Sequence, residues 1–433
     1  MTHEISSLKA RRVWDSRGRP TIEVEVTLAG GVTGCGVAPS GASTGSREAL
    51  DRRDGGKRLG GYGVSGAIAD LHAIVAPALA GVDAGDQRAV DAKLIELDGT
   101  PQKTRLGGNA IVATSLAVAQ AAAAASAVPM WKHLRDIAGL PETPWLPLPM
   151  IQIFGGGRHA GGRIDVQDFL VLCHGAKTFA EAVEWTAEIY MAAADIMKAK
   201  DRLNGVADEG GIWPDFSTNE EGLEHLTEAI RCAGFRAPDD VGIALDIAAS
   251  SFLVDGRYVL GLDGRTLDTG GLVAMLEGWV KAYPIVSLED PLAEDDDEGF
   301  VAITQSLGDK VQIVGDDYLV TDATSIRRAA ERGACNTALL KVNQCGTVTE
   351  LIEASAAARA AGWNTIQSGR SGESEDVALT HLAVGLMSDQ IKVGSMARSE
   401  RTAKWNEAIR IEEALPAGAL WRFAMRRRRG AAP

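Results

Sequence analysis

The sequence predicts an α/β protein in which a separate α+β domain precedes a series of strand–helix units. Three observations favour this fold class. Two patterned runs near the amino terminus predict an antiparallel hairpin, and four prolines between residues 141 and 149 predict a stiff connector. Beyond it, short β-branched runs end in charged residues at intervals of 43, 27 and 25 residues, which is typical of parallel strands closed into a barrel or a sheet.

The predicted hairpin lies in the first domain, which we assign to residues 1–140. Residues 22–28 alternate strictly between apolar and polar side chains, as in a strand with one exposed face. Gly30 and Gly31 then turn the chain into a second run at residues 32–37.

Helical patterns follow the hairpin. Asp86 is placed to cap a helix that ends at Gly99. Residues 110–128 are long and apolar enough to suggest a membrane span, but they consist largely of alanine with Thr and Ser among them. We interpret this segment as a close-packed internal helix and expect no membrane partner.

The proline connector marks the start of the second domain, residues 141–433. Capping-box spacing predicts three helix starts there, at Thr178 with Glu181, Thr218 with Glu221 and Thr347 with Glu350. Glycines stand where these and similar helices should end, at Gly234, Gly333 and Gly362.

Three acidic residues stand at the carboxyl ends of apolar runs, and a lysine stands at a fourth. They are Asp246, Glu289, Asp316 and Lys341. In a β/α barrel such ends converge on one face, and hard carboxylate oxygens that meet there suit Mg²⁺. The alternative is that each acid only caps the helix that follows it.

Further polar groups occur on glycine-rich segments and near other strand ends. The loop at residues 39–45 carries Ser43, and the segment at residues 155–162 carries His159 and leads to Gln167 and Asp168. Glu209 ends another short run, so we expect its carboxylate on the barrel face. Arg370 and Ser371 suit a phosphoryl group, and Lys392 follows on the next run.

Composition excludes several function classes. A formal net charge of −14 argues against a nucleic-acid binder, which needs clustered Lys and Arg. The basic run at residues 426–429 is interpreted as a solvated tail. Five scattered cysteines with no Cys-x-x-Cys pair, and no apolar leader at the amino terminus, indicate a cytoplasmic protein.

With these residues in place, the chain resembles the enolase family over nearly its whole length. The matching segments, in order, are Val-Trp-Asp-Ser-Arg-Gly at 13–18, Pro-Ser-Gly-Ala-Ser-Thr-Gly at 39–45, His-Ala-Gly-Gly at 159–162, Asp-Glu-Gly-Gly at 208–211, Ser-Leu-Glu-Asp-Pro at 287–291, Leu-Lys-Val-Asn-Gln at 340–344 and Arg-Ser-Glu-Arg at 398–401. The resemblance implies an α+β cap and an enolase-type (β/α)8 barrel that departs from strict alternation near its start.

The resemblance also implies site roles and a cofactor. Two Mg²⁺ ions are expected, one held by Asp246, Glu289 and Asp316 and one by the loop around Ser43. Lys341 would be the base and Glu209 the acid, with His159 and Asp168 also in the catalytic set. The expected substrate-binding residues are Lys392, Arg370, Ser371 and Gln167. The family is also expected to form homodimers or larger homo-oligomers.

The chain departs from the family pattern in segments that contact substrate. Gly369 replaces a histidine, Gly155 replaces an asparagine, and Asp168 replaces a glutamate, which withdraws the carboxylate by about 1.5 Å. Arg158 brings a guanidinium beside His159. These changes suggest that the chemistry is kept while the fit to substrate differs.

We therefore expect an enolase-type lyase that removes water from a glycerate with a phosphoryl-type group on its 2-oxygen. The hypothesis is an enlarged substrate such as 2-phosphonoformyl-glycerate, which gives carboxyphosphonoenolpyruvate, with room at Gly369 and an added charge paired to Arg158. One alternative is an ordinary glycolytic enolase that acts on 2-phosphoglycerate. Another is a non-catalytic binding protein with the same fold.

Overall fold

The computed structural model describes residues 3–42, 44–141, 144–415 and 420–421. It confirms the predicted α/β class, because a sheet with helices is followed along the chain by a closed barrel. Ser43 and the basic run at 426–429 lie outside the described residues. The division into domains at residue 140 stays a prediction.

The amino-terminal region contains an antiparallel sheet with the strand order β1-β2-β3. The strands are β1 (Ile5–Trp14), β2 (Pro20–Leu28) and β3 (Thr33–Val37). The predicted hairpin is confirmed, since β2 and β3 pair in register. The sequence pattern does not predict β1, because serine, lysine and arginine interrupt the apolar residues that face the core.

Helices pack against this sheet. They are α1 (Ser65–Asp70), α2 (Ala76–Leu79), α3 (Gln87–Asp98), α4 (Gly108–Ala125) and α5 (Met130–Ile137), with a π-helical segment at Leu71–Val75 and a 3₁₀ segment at Arg58–Gly61. The predicted caps of α3 are confirmed. The Asp86 side chain accepts a hydrogen bond from the Ala89 N–H, and Gly99 ends the helix in a left-handed conformation.

The alanine-rich helix α4 is the predicted internal helix. By length and composition it could cross a membrane, but 83% of this apolar 18-residue helix is buried inside the protein. It approaches β3 so closely that a Cβ on Gly34 would lie 2.2 Å from the backbone N of Ala121. Only glycine on the strand and small residues on the helix allow this contact, so the composition serves close packing.

The rest of the described chain builds the barrel and a small side sheet. Along the chain the strands are β4 (Trp145–Leu146), β5 (Leu148–Gly155), β6 (Asp168–Leu172), β7 (Gly242–Asp246), β8 (Leu253–Val254), β9 (Arg257–Leu260), β10 (Arg265–Leu267), β11 (Ile285–Glu289), β12 (Gln312–Gly315), β13 (Thr337–Leu340), β14 (Asn364–Ser368), β15 (Gln390–Ser395) and β16 (Leu420–Trp421). Within the described residues the barrel closes in the order β11-β12-β13-β14-β15-β5-β6-β7. β8, β9 and β10 form the side sheet, and β4 pairs with β16.

The barrel departs from strict parallel alternation near its start, as the family resemblance implies. β6 runs antiparallel to both of its neighbours, β5 and β7, whereas the other pairs in the barrel are parallel. The first residue of β6 therefore lies at the barrel edge where the parallel strands have their carboxyl ends. This reversal decides which residues of β6 reach the site.

Helices surround the barrel. They are α6 (Phe179–Ala199), α7 (Asn219–Cys232), α8 (Thr269–Ala282), α9 (Asp297–Leu307), α10 (Ala323–Arg332), α11 (Val342–Cys345), α12 (Val348–Ala360), α13 (Ala378–Gly385) and α14 (Ser399–Ala414), with 3₁₀ turns at Gly157–Ala160 and Ala249–Phe252. The predicted starts are confirmed, because Thr178, Thr218 and Thr347 each accept a hydrogen bond from the backbone N–H three residues later. The predicted glycine stops at 234, 333 and 362 are also present, each with a positive φ.

Candidate active site

Three neighbouring barrel strands each carry one of the predicted metal-binding acids at the same edge. Asp246 ends β7 and Glu289 ends β11, and these two residues pair directly in the parallel ladder between the strands. Asp316 directly follows β12, the next strand of the barrel. All three side chains are buried. The structure thus brings together acids that are 70 residues apart in the sequence.

A fourth acid reaches this edge from the antiparallel strand. Asp168 is the first residue of β6 and pairs directly with Asp246 on β7. Next to it, Gln167 donates a hydrogen bond from Nε2 to Asp246 Oδ2 at 3.2 Å, while its own Oε1 is buried without a hydrogen-bond partner among the described residues. Burial raises the pKa of the Asp168 carboxyl, and the opposing pull of Lys392 and His159 does not cancel that rise.

The ammonium group of Lys392 lies among the carboxylates of Asp246, Glu289 and Asp168. Lys392 is the third residue of β15, so its side chain comes from within a strand. Its Nζ lies 2.8 Å from Asp246 Oδ2, 2.8 Å from Glu289 Oε2 and 3.3 Å from Asp168 Oδ2. Burial alone would lower the pKa of Lys392, but the surrounding carboxylates raise it well above its usual value. The ammonium is therefore charged and fixed in position.

Lys341 directly follows β13 and faces the other side of the acid group. Its Nζ donates a hydrogen bond to Asp316 Oδ2, and Gln344 Nε2 donates to Asp316 Oδ1 at 2.9 Å. Burial lowers the pKa of Lys341, but the surrounding carboxylates, Asp316 first and then Asp317 and Glu289, together raise it above its usual value. The carboxylates around Lys341 therefore favour its charged form.

The buried acids meet the chemical requirements of a hard divalent cation. Glu289 Oε1 is buried and has no hydrogen-bond partner in the described part of the chain, although the opposite oxygen of the same carboxylate binds Lys392. Burial and the adjacent Asp246 carboxylate raise the pKa of Glu289 well above its usual value, which indicates excess negative charge at this point. A cation that accepts carboxylate oxygens, such as Mg²⁺, fits this donor set.

The distances between ligand atoms do not single out the three predicted metal-binding acids. Among the described residues, two sets have ligand atoms within 4.8 Å of one another, namely His159 with Asp168 and Glu209, and Asp290 with Asp316 and Asp317. The predicted set of Asp246, Glu289 and Asp316 is not one of these. The physical reason is that Lys392 and Lys341 salt-bridge these acids, so the predicted ligands surround ammonium groups.

His159, Asp168 and Glu209 form a compact group beside the lysines. His159 lies in the 3₁₀ turn Gly157–Ala160, and its Nε2 is 3.8 Å from Asp168 Oδ1 and 3.9 Å from Glu209 Oε1. Burial raises the pKa of Glu209, but His159, Arg401 and the two site lysines together outweigh it, so the pKa lies below its usual value. The two carboxyls therefore shift in opposite directions.

Glu209 lies in the cleft with the residues of the barrel edge, although the short run before it is not a barrel strand. Glu209 lies in the connection between α6 and α7, and its backbone carbonyl accepts a hydrogen bond from the N–H of Ser395 on β15 at 2.9 Å. The short apolar run before it contributes only an isolated bridge between Val206 and Ile212. Loop contacts bring this carboxylate to the barrel edge, and those contacts leave no periodic signal in the sequence.

Arg370 and Ser371 follow β14 and are both buried. The Arg370 guanidinium donates to Glu48 Oε2 at 2.9 Å, to Glu48 Oε1 at 3.3 Å and to Asn343 Oδ1 at 3.2 Å. Ser371 Oγ accepts a hydrogen bond from Arg17 at 3.1 Å. Burial lowers the pKa of Arg370, but Glu48, with Asp316 and Asp317, raises it above its usual value, so the arginine remains a fixed cation.

One cleft joins these groups. The residues that line it are Gly41, Ala42, His159, Gln167, Asp168, Glu209, Asp246, Lys341, Ser368, Gly369, Arg370, Ser371, Lys392 and Val393. Predicted base, acid, metal-binding and phosphoryl-binding residues therefore share one space.

Gly369 is expected to make room for a larger substrate and Arg158 to pair with its added charge, and the structure places the two residues differently. Gly369 lines the cleft, but a Cβ at this position would lie 3.2 Å from Glu373 Oε1 and 3.2 Å from Leu379 Cδ2. The direction of the missing side chain is therefore filled by neighbours. Arg158 is exposed, lies outside the cleft lining, and donates a long hydrogen bond of 3.4 Å to the Ala42 carbonyl.

The sequence interpretation overlooked two buried residues that support the site. Glu48 is the partner of Arg370, and it also accepts a hydrogen bond from the Gly45 N–H at 2.9 Å. Gln152 on β5 donates to Asp168 and is fully buried. Gln152 did leave a signal, since it is a polar residue within an otherwise apolar strand.

Comparison with known proteins gives consistent matches over both parts of the chain. Residues 5–134 match the family model described as the enolase N-terminal domain, and residues 143–429 match the one described as the enolase C-terminal TIM barrel domain. A protein named Enolase 1, from Desulfitobacterium hafniense strain Y51, is 48% identical over 419 residues. That alignment covers 96% of this chain and 95% of the relative.

Proposed function

The chain belongs to the enolase family of hydro-lyases, and from this premise we propose that Lys341 and Glu209 carry out a Mg²⁺-dependent removal of water from 2-phosphoglycerate. The family implies a small anionic substrate of the phosphoglycerate type. The observation that carries the proposal is the joint lining of one cleft by Lys341, Glu209, Lys392 and Arg370.

The first step is removal of the proton beside the substrate carboxylate. Its difficulty is that the product is a dianion, so the site must offer positive charge. Lys392 offers a buried ammonium for the carboxylate end, and Arg370 with Ser371 offers donors for the phosphoryl end. Lys341 lines the same cleft and would take the proton at Nζ.

Lys341 must be neutral to act as a base, and its contact with Asp316 opposes that. Asp246, Glu289 and Asp316 would hold Mg²⁺, with Ser43 as the proposed ligand for a second ion. The bound cations would supply positive charge for the dianion and would favour the neutral form of Lys341. A lysine base beside one or two Mg²⁺ ions is already a known pattern of enolase-superfamily sites, so the proposal agrees with established chemistry.

The second step is the loss of hydroxide from the adjacent carbon, which needs a proton. Asp168, whose pKa is raised, lies beside Glu209, and in the proposal this pair of carboxyl groups delivers one proton to the departing oxygen. Groups whose environments move their pKa values apart divide acid and base roles in this way. His159 lies against both carboxyls and would fix their relative position.

An enlarged substrate such as 2-phosphonoformyl-glycerate is the second candidate. The observation in its favour is that Ser368, Gly369 and Ser371, all small, line the phosphoryl end of the cleft. Against it, Glu373 and Leu379 occupy the direction of the missing side chain at Gly369, and a buried carboxylate there would repel an added negative charge. Plain 2-phosphoglycerate is therefore the better fit.

A homo-oligomeric assembly and a cytoplasmic location are also part of the proposal. They are supported by the family resemblance, and the second also by the five free cysteines among the described residues, which suit a reducing compartment.

The test compares the purified protein on both substrates with MgCl₂ and with EDTA. We expect Mg²⁺-dependent dehydration of 2-phosphoglycerate with a higher kcat/KM than for the phosphonoformyl analogue. Exchange of the α-proton with D₂O, followed by NMR, should occur in the wild type and be lost in Lys341→Gln. Lys310→Gln, at an exposed lysine on the barrel exterior, is the matched control and should exchange normally.

Two results would change the proposal. A higher kcat/KM for the phosphonoformyl analogue would favour the enlarged-substrate candidate. A folded wild type that binds Mg²⁺ but shows neither exchange nor dehydration would favour the alternative of a non-catalytic binding protein.

A further inference from the structure

Gln152 stands out as a polar side chain inside an apolar strand. Every residue of β5 is buried, and Gln152 itself has 0% of its surface exposed. A buried amide is costly unless both its donor and its acceptor find partners. The partners of Gln152 therefore indicate what the residue is for.

One partner is an acid of the site, and the other lies in the loop that carries a second acid. Gln152 Nε2 donates a short hydrogen bond to Asp168 Oδ1. Its Oε1 accepts a hydrogen bond from the backbone N–H of Gly211 at 2.9 Å. Gly211 follows Glu209 by two residues, so one side chain connects the carboxylate of β6 to the loop that carries the second carboxylate.

The space around the Gln152 amide is made by two glycines. A Cβ on Gly155 would lie 3.1 Å from Gln152 Oε1 and 2.8 Å from Ala207 Cβ. A Cβ on Gly211 would lie 2.3 Å from the same Oε1. Gly155 also pairs directly with Asp168 across β5 and β6. A side chain at either glycine would displace the amide from its contacts.

The side-chain lengths match one another. Asp168 is one methylene shorter than a glutamate would be, which withdraws its oxygens by about 1.5 Å. The long Gln152 side chain reaches across that distance, while Lys392 contacts the other oxygen, Oδ2, at 3.3 Å. A longer acid at 168 would press against Gln152 or against His159, whose Nε2 is 3.8 Å from Asp168 Oδ1.

We propose that Gln152 is a positioning residue that sets the separation between Asp168 and Glu209, and that its length compensates for the short carboxyl at position 168. Gly155 and Gly211 supply the room for the amide. This inference rests on the proposed function, since it assumes that the two carboxyls deliver the proton of the dehydration step.

The experiment is a double-mutant cycle that shortens the side chain at position 152 and lengthens the one at position 168. The variants are Gln152→Asn, Asp168→Glu and the double variant, each assayed for kcat and KM on 2-phosphoglycerate with saturating MgCl₂. A misplacement of about 1 Å can cost roughly 100-fold, so each single variant should lose about that factor in kcat. The double variant should recover to within about 10-fold of the wild type, with KM nearly constant throughout.

If the two sites acted independently, their free-energy costs would add and the double variant would lose roughly 10⁴-fold in kcat. That result would overturn the proposal. Gln152→Glu keeps the length but presents an acceptor to Asp168. It should lose kcat to a similar extent and gain nothing from Asp168→Glu, and wild-type kcat in this variant would also overturn the proposal.

Failure of the proposed function is distinguishable from failure of this inference. If the wild type shows neither α-proton exchange nor dehydration, the function itself is wrong. If the wild type is active and Gln152→Asn still exchanges the α-proton while dehydration falls, the defect lies in the acid group, as positioning predicts. Loss of exchange and dehydration together in Gln152→Asn would contradict a role confined to that group.

Discussion

Replacement of Lys392 by methionine tests the electrostatics of the site independently of any assay for activity. Lys392 Nζ contacts Asp246, Glu289 and Asp168, and all of these side chains are buried. Methionine keeps the length and the apolar stem but removes the positive charge that touches all three acids at once. The carboxylates would then face one another in a medium that screens them poorly.

The expected cost follows from these contacts. Removing one partner of a buried charge pair typically costs about 3–5 kcal/mol, because the other charge is left buried and unpaired. Here three acids lose a partner, so the upper part of that range applies at pH 8 in EDTA. With a urea slope of roughly 4 kcal/mol per M, steeper than in small proteins because more surface is exposed on unfolding, the midpoint should fall by about 1 M.

The loss of stability in Lys392→Met should depend on pH and on Mg²⁺. The pKa of Glu289 is already raised by burial and by Asp246, and loss of Lys392 would raise it further. An acid whose folded pKa exceeds its unfolded value binds more protons when folded, so stability increases as pH falls through the folded pKa. The gap between Lys392→Met and wild type should therefore shrink from pH 8 to pH 5. Saturating Mg²⁺ should also shrink it, because the unpaired carboxylates of the variant should bind the cation more tightly than the wild type does, and a ligand at 100 times its Kd stabilises by about 2.7 kcal/mol.

The assay is urea unfolding followed by circular dichroism, in EDTA and in MgCl₂, at pH 8 and pH 5. Lys404→Met is the matched control, because Lys404 is also buried and bound to one carboxylate, Glu373 at 3.1 Å, outside the proposed metal site. It should be destabilised in both EDTA and MgCl₂ alike. A Lys392→Met protein that is as stable as the wild type in EDTA, or that responds to Mg²⁺ no more than the control does, would refute the reasoning.

Three further predictions follow from buried groups. Glu209→Gln should lower the dehydration rate by roughly 10²–10⁴-fold while α-proton exchange continues, because the variant loses a proton donor of the second step and keeps Lys341, the base of the first. Loss of both activities would contradict this. Glu48→Gln leaves the Arg370 guanidinium without its buried carboxylate, so 2-phosphoglycerate should raise the thermal midpoint of the variant more than that of the wild type, and an equal rise would count against the pairing. Burial raises the pKa of Asp91 to about 6, against 3.8 in an exposed carboxyl, so this group should add up to about 3 kcal/mol of stability as pH falls from 7 to 4. Asp91→Asn should lack that gain in pH-dependent urea unfolding, and a pH slope identical to the wild type would show that Asp91 does not titrate in this range.

Strand ends explain which site residues the sequence could reveal. Asp246, Glu289, Asp316 and Lys341 end or follow parallel strands, and each parallel unit carries its own local pattern of apolar run and helix cap. Local patterns of this kind are readable one unit at a time. The rule that strand ends share one face then brings the residues together without any knowledge of the structure.

Other site residues escape that rule because non-local contacts place them. Asp168 begins a strand, and only the antiparallel direction of β6 carries it to the same edge. Glu209 depends on a loop held by Ser395. Lys392 comes from the third position of β15, and Glu48 arrives from the other part of the chain through its pair with Arg370. These positions follow from strand direction and packing, which residue spacing does not encode.

The surroundings of Gly369 show why a smaller residue does not by itself indicate a larger substrate site. Loss of a side chain suggests a larger site only if the vacated volume stays empty. Here Glu373 and Leu379 lie 3.2 Å from where a Cβ would be, and Glu373 is itself fixed by the Arg370 N–H at 2.9 Å and by Lys404 at 3.1 Å. Close-packed interiors leave few voids, so neighbours claim most of the space that a deletion creates. The glycine at position 369 therefore does not by itself indicate room for a larger substrate.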